Sequence, residues 1–152
     1  MTPDLQTPEQ ISSELMTLWN SGQLAKADAL IKQGLARFPD HPQLLSDAGV
    51  IADKLGKNDE AIKYFEQAHE LVPQIPLCFR NYLVLLSMNN DTEKIVEKTP
   101  EILRLFGDDA KMLMMLAAAC VETGADDRFF EVLRSLHELE PNERRYLDDM
   151  AA

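Results

Sequence analysis

The chain has 152 residues, 45% hydrophobic and 27% charged, enough for one domain with a sizeable core. Its formal net charge of −11 argues against nucleic acid phosphates and anionic lipid headgroups as partners; it reads first as a solubility feature, and mildly favours a basic partner. The 2 cysteines, Cys78 and Cys120, sit in apolar helical runs and read as small core residues, not as a disulfide framework or a metal site.

The opening stretch MTPDLQTPEQ has neither a basic start nor an apolar run, so it does not read as a secretory signal. No run approaches the roughly 18 consecutive apolar residues of a membrane span. Together these point to a cytoplasmic protein. Aromatic residues are sparse and alanine and leucine plentiful, which favours helix over sheet.

One interval recurs. Gly22, Gly56 and Gly124 lie 34 and twice 34 residues apart, as do Pro39, Pro73 and Pro141, and as do Ala27, Ala61 and Phe129. In the remaining slot Asn90, Ile95 and Gly107 stand in for the glycine, the alanine and the proline. A shared period of this kind marks stacked structural repeats. It divides a single domain, 1–152, into repeats 8–41, 42–75, 76–109 and 110–143, followed by a capping helix over 144–152.

In the first repeat, Thr7 before Pro8 is a helix start, and the run with Ile11, Leu15, Met16 and Leu18 stops at Asn20-Ser21-Gly22. The second run, QLAKADALIKQGLARF, buries Leu24, Ala27, Leu30, Ile31, Gly34 and Leu35, and Pro39 prevents its continuation. The second repeat is the best formed. Its first helix presents Leu44, Leu45, Ala48, Gly49 and Ala52, and its second Ala61, Ile62, Phe65, Ala68 and Leu71. Gly49 and Ala61 permit close approach where the two helices cross, with Phe65 filling the space beside them.

The third repeat starts with a broad apolar surface, Leu77, Phe79, Tyr82, Leu83, Leu85 and Leu86, and turns at SMNND. There Asn90 takes the left-handed position. Pro100 falls inside its second helix, which predicts a break near Lys98–Thr99 and a short helical piece EILRLF ending at Gly107. The fourth repeat opens at the capping residues Asp108-Asp109, runs through AKMLMMLAAACVET to Gly124, and pairs with DDRFFEVLRSLHEL. Tyr146, Leu147 and Met150 are placed to cover the last apolar face of the array.

Glycine between helices, alanine early in the second helix and proline at its end, every 34 residues, resemble the tetratricopeptide repeat. Leu45, Ala48, Gly49, Gly56, Ala61, Phe65, Ala68 and Pro73 fall on the signature positions; the other three repeats match in part. The resemblance implies an all-α fold, a right-handed superhelix of antiparallel helix pairs whose first helices line a concave groove. It also implies a peptide or helix of another protein as the groove's occupant.

On that resemblance the groove-facing residues are Glu9, Ser12, Ser13, Met16 and Trp19, then Gln43, Ser46, Asp47, Val50 and Asp53. They continue with Leu77, Arg80, Asn81, Val84 and Met88, then Lys111, Met114, Met115, Ala118 and Val121. The partner-binding candidates among them are Met16, Trp19, Asp47, Val50, Arg80, Asn81, Val84, Met88, Met114 and Met115. Methionine adapts to varied apolar partners, tryptophan anchors interfaces, and arginine pairs with carboxylates. Other readings stay open: Met114 and Met115 as core, Trp19 packed on the N-terminal segment, Arg80 solvated or paired with Asp47. One subfamily clamps a partner's terminal carboxylate with groove cations. The matching positions here hold Ser12, Met16, Asp47, Leu77 and Asn81, without a cation, so chaperone-tail binding is not expected.

No phosphate-cradling loop, nucleophile elbow or two-histidine metal helix occurs, so no enzyme, cofactor or metal is expected. His69 and His137 occupy equivalent repeat positions, and the acidic pairs at 108–109 and 126–127 sit at helix starts. The reading is a protein–protein interaction scaffold; the alternative is a self-associating structural module, or an N-terminal domain of a larger protein such as a transferase.

Overall fold

Where one helix turns back on the next, the chain must pass through the left-handed region, which costs most residues about 1–2 kcal/mol. The residues that stand there are Gly22, Gly56 and Gly124, at φ 72°, 75° and 68°, and Asn90 at φ 58°. In the computed structural model, which describes residues 7–139, each of the three glycines separates two helices that pack on one another, and Asn90 falls between two consecutive helices. All regular structure among the described residues is helical: α1 (Pro8–Asn20), α2 (Leu24–Arg37), α3 (Pro42–Lys54), α4 (Asn58–Leu71), α5 (Pro76–Met88), α6 (Thr92–Glu97), α7 (Thr99–Phe106), α8 (Ala110–Thr123) and α9 (Asp126–Leu139). The expected capping helix over 144–152 lies outside the described residues. No described helix is long and apolar enough to cross a membrane.

Two compact units divide the chain, 1–85 and 86–152. In the first, α1 begins with a reciprocal cap: Thr7 Oγ1 accepts from the Gln10 backbone N–H, and Gln10 Oε1 accepts from the Thr7 N–H. Helix α3 packs on α1, α2 and α4. Ile11, Leu15, Ala27, Ile31, Leu44, Ala48 and Ile51 form the core between them. Small residues set the spacing. Gly34 lies against Ile11 and Leu44, and Gly49 lies under the Phe65 ring, which fills the space a side chain at 49 would take between α3 and α4. Beyond α4, the buried His69 stacks on Phe79 of α5 with ring centroids 4.1 Å apart, a packing role for that histidine. On the outer side, Asp28 of α2 pairs with Lys32 at 3.0 Å and with Lys57, just before α4, at 3.3 Å.

Leu71 departs from the expected buried face and is 44% exposed. It is the last residue of α4, where the chain turns away at Val72. Leu24, Leu30 and Leu35 are half-buried, at the margins of the stripe whose centre is Ala27, Ile31 and Gly34.

In the second unit the segment that follows α5 forms two short helices instead of one. Helix α6 ends at Glu97, Lys98 forms the break, and α7 restarts with Pro100 in its first turn, where a missing N–H costs nothing. The fully buried Thr99 donates its hydroxyl to the Val96 carbonyl at 2.6 Å, satisfying an acceptor the break would orphan. Helix α8 packs on α6, α7 and α9. Its N-cap is Asp109, whose carboxylate accepts from the Met112 N–H at 3.2 Å. Leu113 and Leu116 of α8, Ile102 and Phe106 of α7, and Leu133 and Leu136 of α9 are buried. Cys78 and Cys120 are both buried free thiols, and burial raises the Cys120 thiol above its ordinary range, keeping it protonated.

Candidate functional site

The first helices of the first two repeats, α1 and α3, lie against one another in the same direction. Two contacts set the register. Ser12 Oγ donates to Asp47 Oδ2 at 2.7 Å near the beginning of both helices. Near the end of both, Lys54 Nζ stands 5.9 Å from the centre of the Trp19 ring, a cation–π arrangement. Each pair is 35 residues apart in sequence, one more than the repeat length. Side chains that alternate between the helices at this offset leave a cleft between the two contacts.

That cleft is a cavity of 190 Å³ lined by Ser12, Leu15, Met16, Trp19, Asp47, Val50 and Ile51. Leu15 and Ile51 are buried, at 4% and 3% exposure, and form the apolar floor. Met16, 61% exposed, stands at the rim, with Val50 and Trp19 half-buried beside it. The one strongly polar wall is Asp47, fixed by two donors: Ser12, and Gln43 Nε2 at 2.8 Å on Oδ1. A carboxylate offers about four acceptor positions, so Asp47 keeps capacity for a further donor. The cleft thus runs from an oriented carboxylate at one end, over an apolar floor, to a tryptophan overlain by a lysine at the other.

Four of the candidates read from the sequence, Met16, Trp19, Asp47 and Val50, therefore meet in one cavity. Three more share a face of α5 in the same unit: Arg80 and Asn81 are half-buried, and Val84 is 42% exposed, about two turns beyond Leu77 at 60%. The other three are in the second unit. Met88 is 67% exposed and Met114 41% exposed, while Met115 is half-buried. The methionine run of α8 is thus divided, with Met112 in the core and Met114 on the surface. Trp19 lines the cleft with Leu18 and the core beneath it. Sequence reasoning passed over Ile51 and Lys54, both of which shape the cleft. The signal that finds them is the 35-residue offset, which pairs Met16 with Ile51 and Trp19 with Lys54.

Among the described residues no three His, Cys, Asp or Glu side chains converge as a metal site requires. The volume sets the scale of any occupant. Drug-sized ligands take pockets of about 300–1,000 Å³, whereas an apolar void of about 150 Å³ holds a benzene ring. A cavity of 190 Å³ suits one large side chain.

Residues 14–75 match the tetratricopeptide repeat family. A curated relative, anaphase-promoting complex subunit 7 of Arabidopsis thaliana, is 27% identical over 88 residues, 58% of this chain; the chain spans 16% of that protein's length. Among solved structures, residues 41 to the end of MamA from Desulfovibrio magneticus RS-1 superpose with a TM-score of 0.71 at 16% identity, covering 91% of this chain and 78% of that one. YrrB, described as a TPR protein with an unusual peptide-binding site, superposes with a TM-score of 0.69 at 12% identity, covering 94% and 74%. At these identities the likeness is one of fold: helix pairs stacked as in tetratricopeptide repeat arrays.

Proposed function

We propose that this tetratricopeptide-repeat protein is a protein-binding module whose α1–α3 cleft receives a side chain from a peptide or helix of its partner. The observation that carries the reading is the cavity itself. It has a buried apolar floor, a volume of 190 Å³, and one pre-positioned carboxylate at its edge. A site that is already formed and oriented costs little entropy to occupy. The exposed apolar residues Leu77 and Val84 on α5 offer the same partner additional surface. Asp47 stands where a carboxylate clamp would need a cation, so a partner's terminal carboxylate is disfavoured. The peptide-binding site for which YrrB is described supports the comparison. The role is binding without catalysis, in the cytoplasm, by one domain of four repeats at 8–41, 42–75, 76–109 and 110–143.

The test uses Trp19, the only tryptophan. Peptides selected from a displayed library against the chain shift Trp19 emission on binding, and Met16→Glu, which puts a charge at the apolar rim, abolishes it. Selected peptides that bind Met16→Glu and Val50→Glu as well as the parent chain overturn the proposal.

A further inference from the structure

Charge is distributed over the cleft in a way that selects what enters it. Helices α1 and α3 carry the carboxylates Glu9, Glu14, Asp47 and Asp53 and one cation, Lys54. Lys54 stands over the Trp19 ring at the far end, seven residues beyond Asp47, about 10 Å at a rise of about 1.5 Å per residue. Asp47 lines the cavity and is half-buried. Its donors are the Ser12 hydroxyl on Oδ2 and the Gln43 carboxamide on Oδ1, both neutral, so they fix the carboxylate without offsetting its charge. Each takes one of about four acceptor positions, which leaves about one on each oxygen. Two acceptors side by side match the planar fork of a guanidinium, whose parallel N–H groups pair with both oxygens at once; an ammonium engages them only as a point charge. Half-burial beside an apolar floor strengthens that pairing over one in open water.

Spacing narrows the occupant further. The floor residue Ile51 lies four residues beyond Asp47 on α3, about 6 Å along the helix. A ligand that uses both presents its cation and a large apolar side chain on one face at a similar separation. Residues i and i+2 of an extended segment meet that at about 6.6 Å, and residues i and i+4 of a helix at about 6 Å. We infer that the occupant of the α1–α3 cleft is a segment of a partner protein in which an arginine and a large apolar residue stand on one face at such a spacing. The guanidinium pairs with Asp47 and the apolar side chain fills the cavity. Lys54 repels the arginine from the other end, so the segment enters in one direction. The inference rests on reading the cleft as a binding site. The net charge of −11 adds longer-range attraction for such a segment.

A displayed library of random dodecapeptides, selected on the immobilised full chain, tests it. The selected peptides carry arginine two or four residues from a phenylalanine, leucine or methionine. Replacing that arginine with alanine weakens binding to the parent chain about tenfold or more. Asp47→Asn, which keeps the size of the side chain and whose helices are checked by circular dichroism, weakens it equally. In Asp47→Asn the loss of the peptide's arginine then costs nothing further, a coupling that a merely structural role for Asp47 does not produce. Added salt weakens binding more in the parent than in Asp47→Asn. Selected peptides without arginine, or whose arginine matters equally to the parent and to Asp47→Asn, overturn the inference. So does association of the chain with itself, read by sedimentation without peptide and lost in Met16→Glu, because the occupant is then a second copy. Failure of the cleft reading looks different. Peptides that lose binding to Met16→Glu but are indifferent to Asp47 leave the cleft as the binding site and strike only the arginine. Peptides that bind Met16→Glu like the parent, or a library that yields none, strike both.

Discussion

Gly49→Ala tests the packing that sets α3 against α4. A Cβ at position 49 would stand 2.7 Å from Cε1 and Cζ of Phe65 and 2.8 Å from Cδ1. Ordinary carbon contacts lie at about 3.5–4.0 Å, so ring and helix must separate by about 1 Å. Phe65 is 2% exposed, so the ring can move only by displacing neighbours in the core. Overpacking of a close-packed site costs about 1–3 kcal/mol, while replacing a mid-helix glycine with alanine returns about 0.5–1 kcal/mol. The net expectation is a loss centred near 1 kcal/mol, within about 0–2.5 kcal/mol, against the gain that helix propensity alone predicts. Urea unfolding followed through Trp19 fluorescence reads it, since α1 packs directly on α3. Adding Phe65→Leu recovers part of the loss, and the double-mutant cycle gives a coupling of about 1 kcal/mol. A Gly49→Ala variant more stable than the parent refutes the reasoning.

Two further expectations concern single residues. Asn90 sits at φ 58°, so Asn90→Ala destabilises by about 1 kcal/mol while Asn90→Gly is tolerated; urea midpoints of the two variants decide it. At Asp28, burial acts to raise the carboxyl, but the hydrogen bonds from Lys32 and Lys57 outweigh it and hold it below its ordinary 3.8. A depressed folded value stabilises above the unfolded value and is lost as pH falls through the folded one. The stability advantage of the parent over Asp28→Asn is therefore full at neutral pH and shrinks below about pH 4; an advantage that grows on acidification contradicts the assignment.

Much of the architecture was legible because it is punctuated by residues with few alternatives. Only glycine, or asparagine at a modest cost, fits the left-handed turns at 22, 56, 90 and 124. Only the first turn of a helix accepts Pro100, so the break at Lys98 followed from its position. The limits are equally physical. Apolar periodicity marks a face but not how far a neighbour extends along it, which is why Leu71, at the end of α4, proved exposed. Met114 and Met115 differ by one helical step, and the neighbours of α8 decide which faces outward. The cleft was half legible: repeat register placed Met16, Trp19, Asp47 and Val50 on one surface, but that they enclose a cavity depends on Ile51 beneath and Lys54 beyond. Those residues become visible only through the lateral offset between successive first helices, which no single repeat contains.

The central claim is that partners enter between α1 and α3. Methyl-resolved NMR of the full chain saturated with a library-selected peptide tests it most directly. The account predicts that the Met16 ε-methyl, the Val50 methyls and the Trp19 indole resonance shift together in proportion to occupancy, and that the shifts vanish in Met16→Glu. Saturating binding that leaves Met16, Val50 and Trp19 unmoved contradicts it.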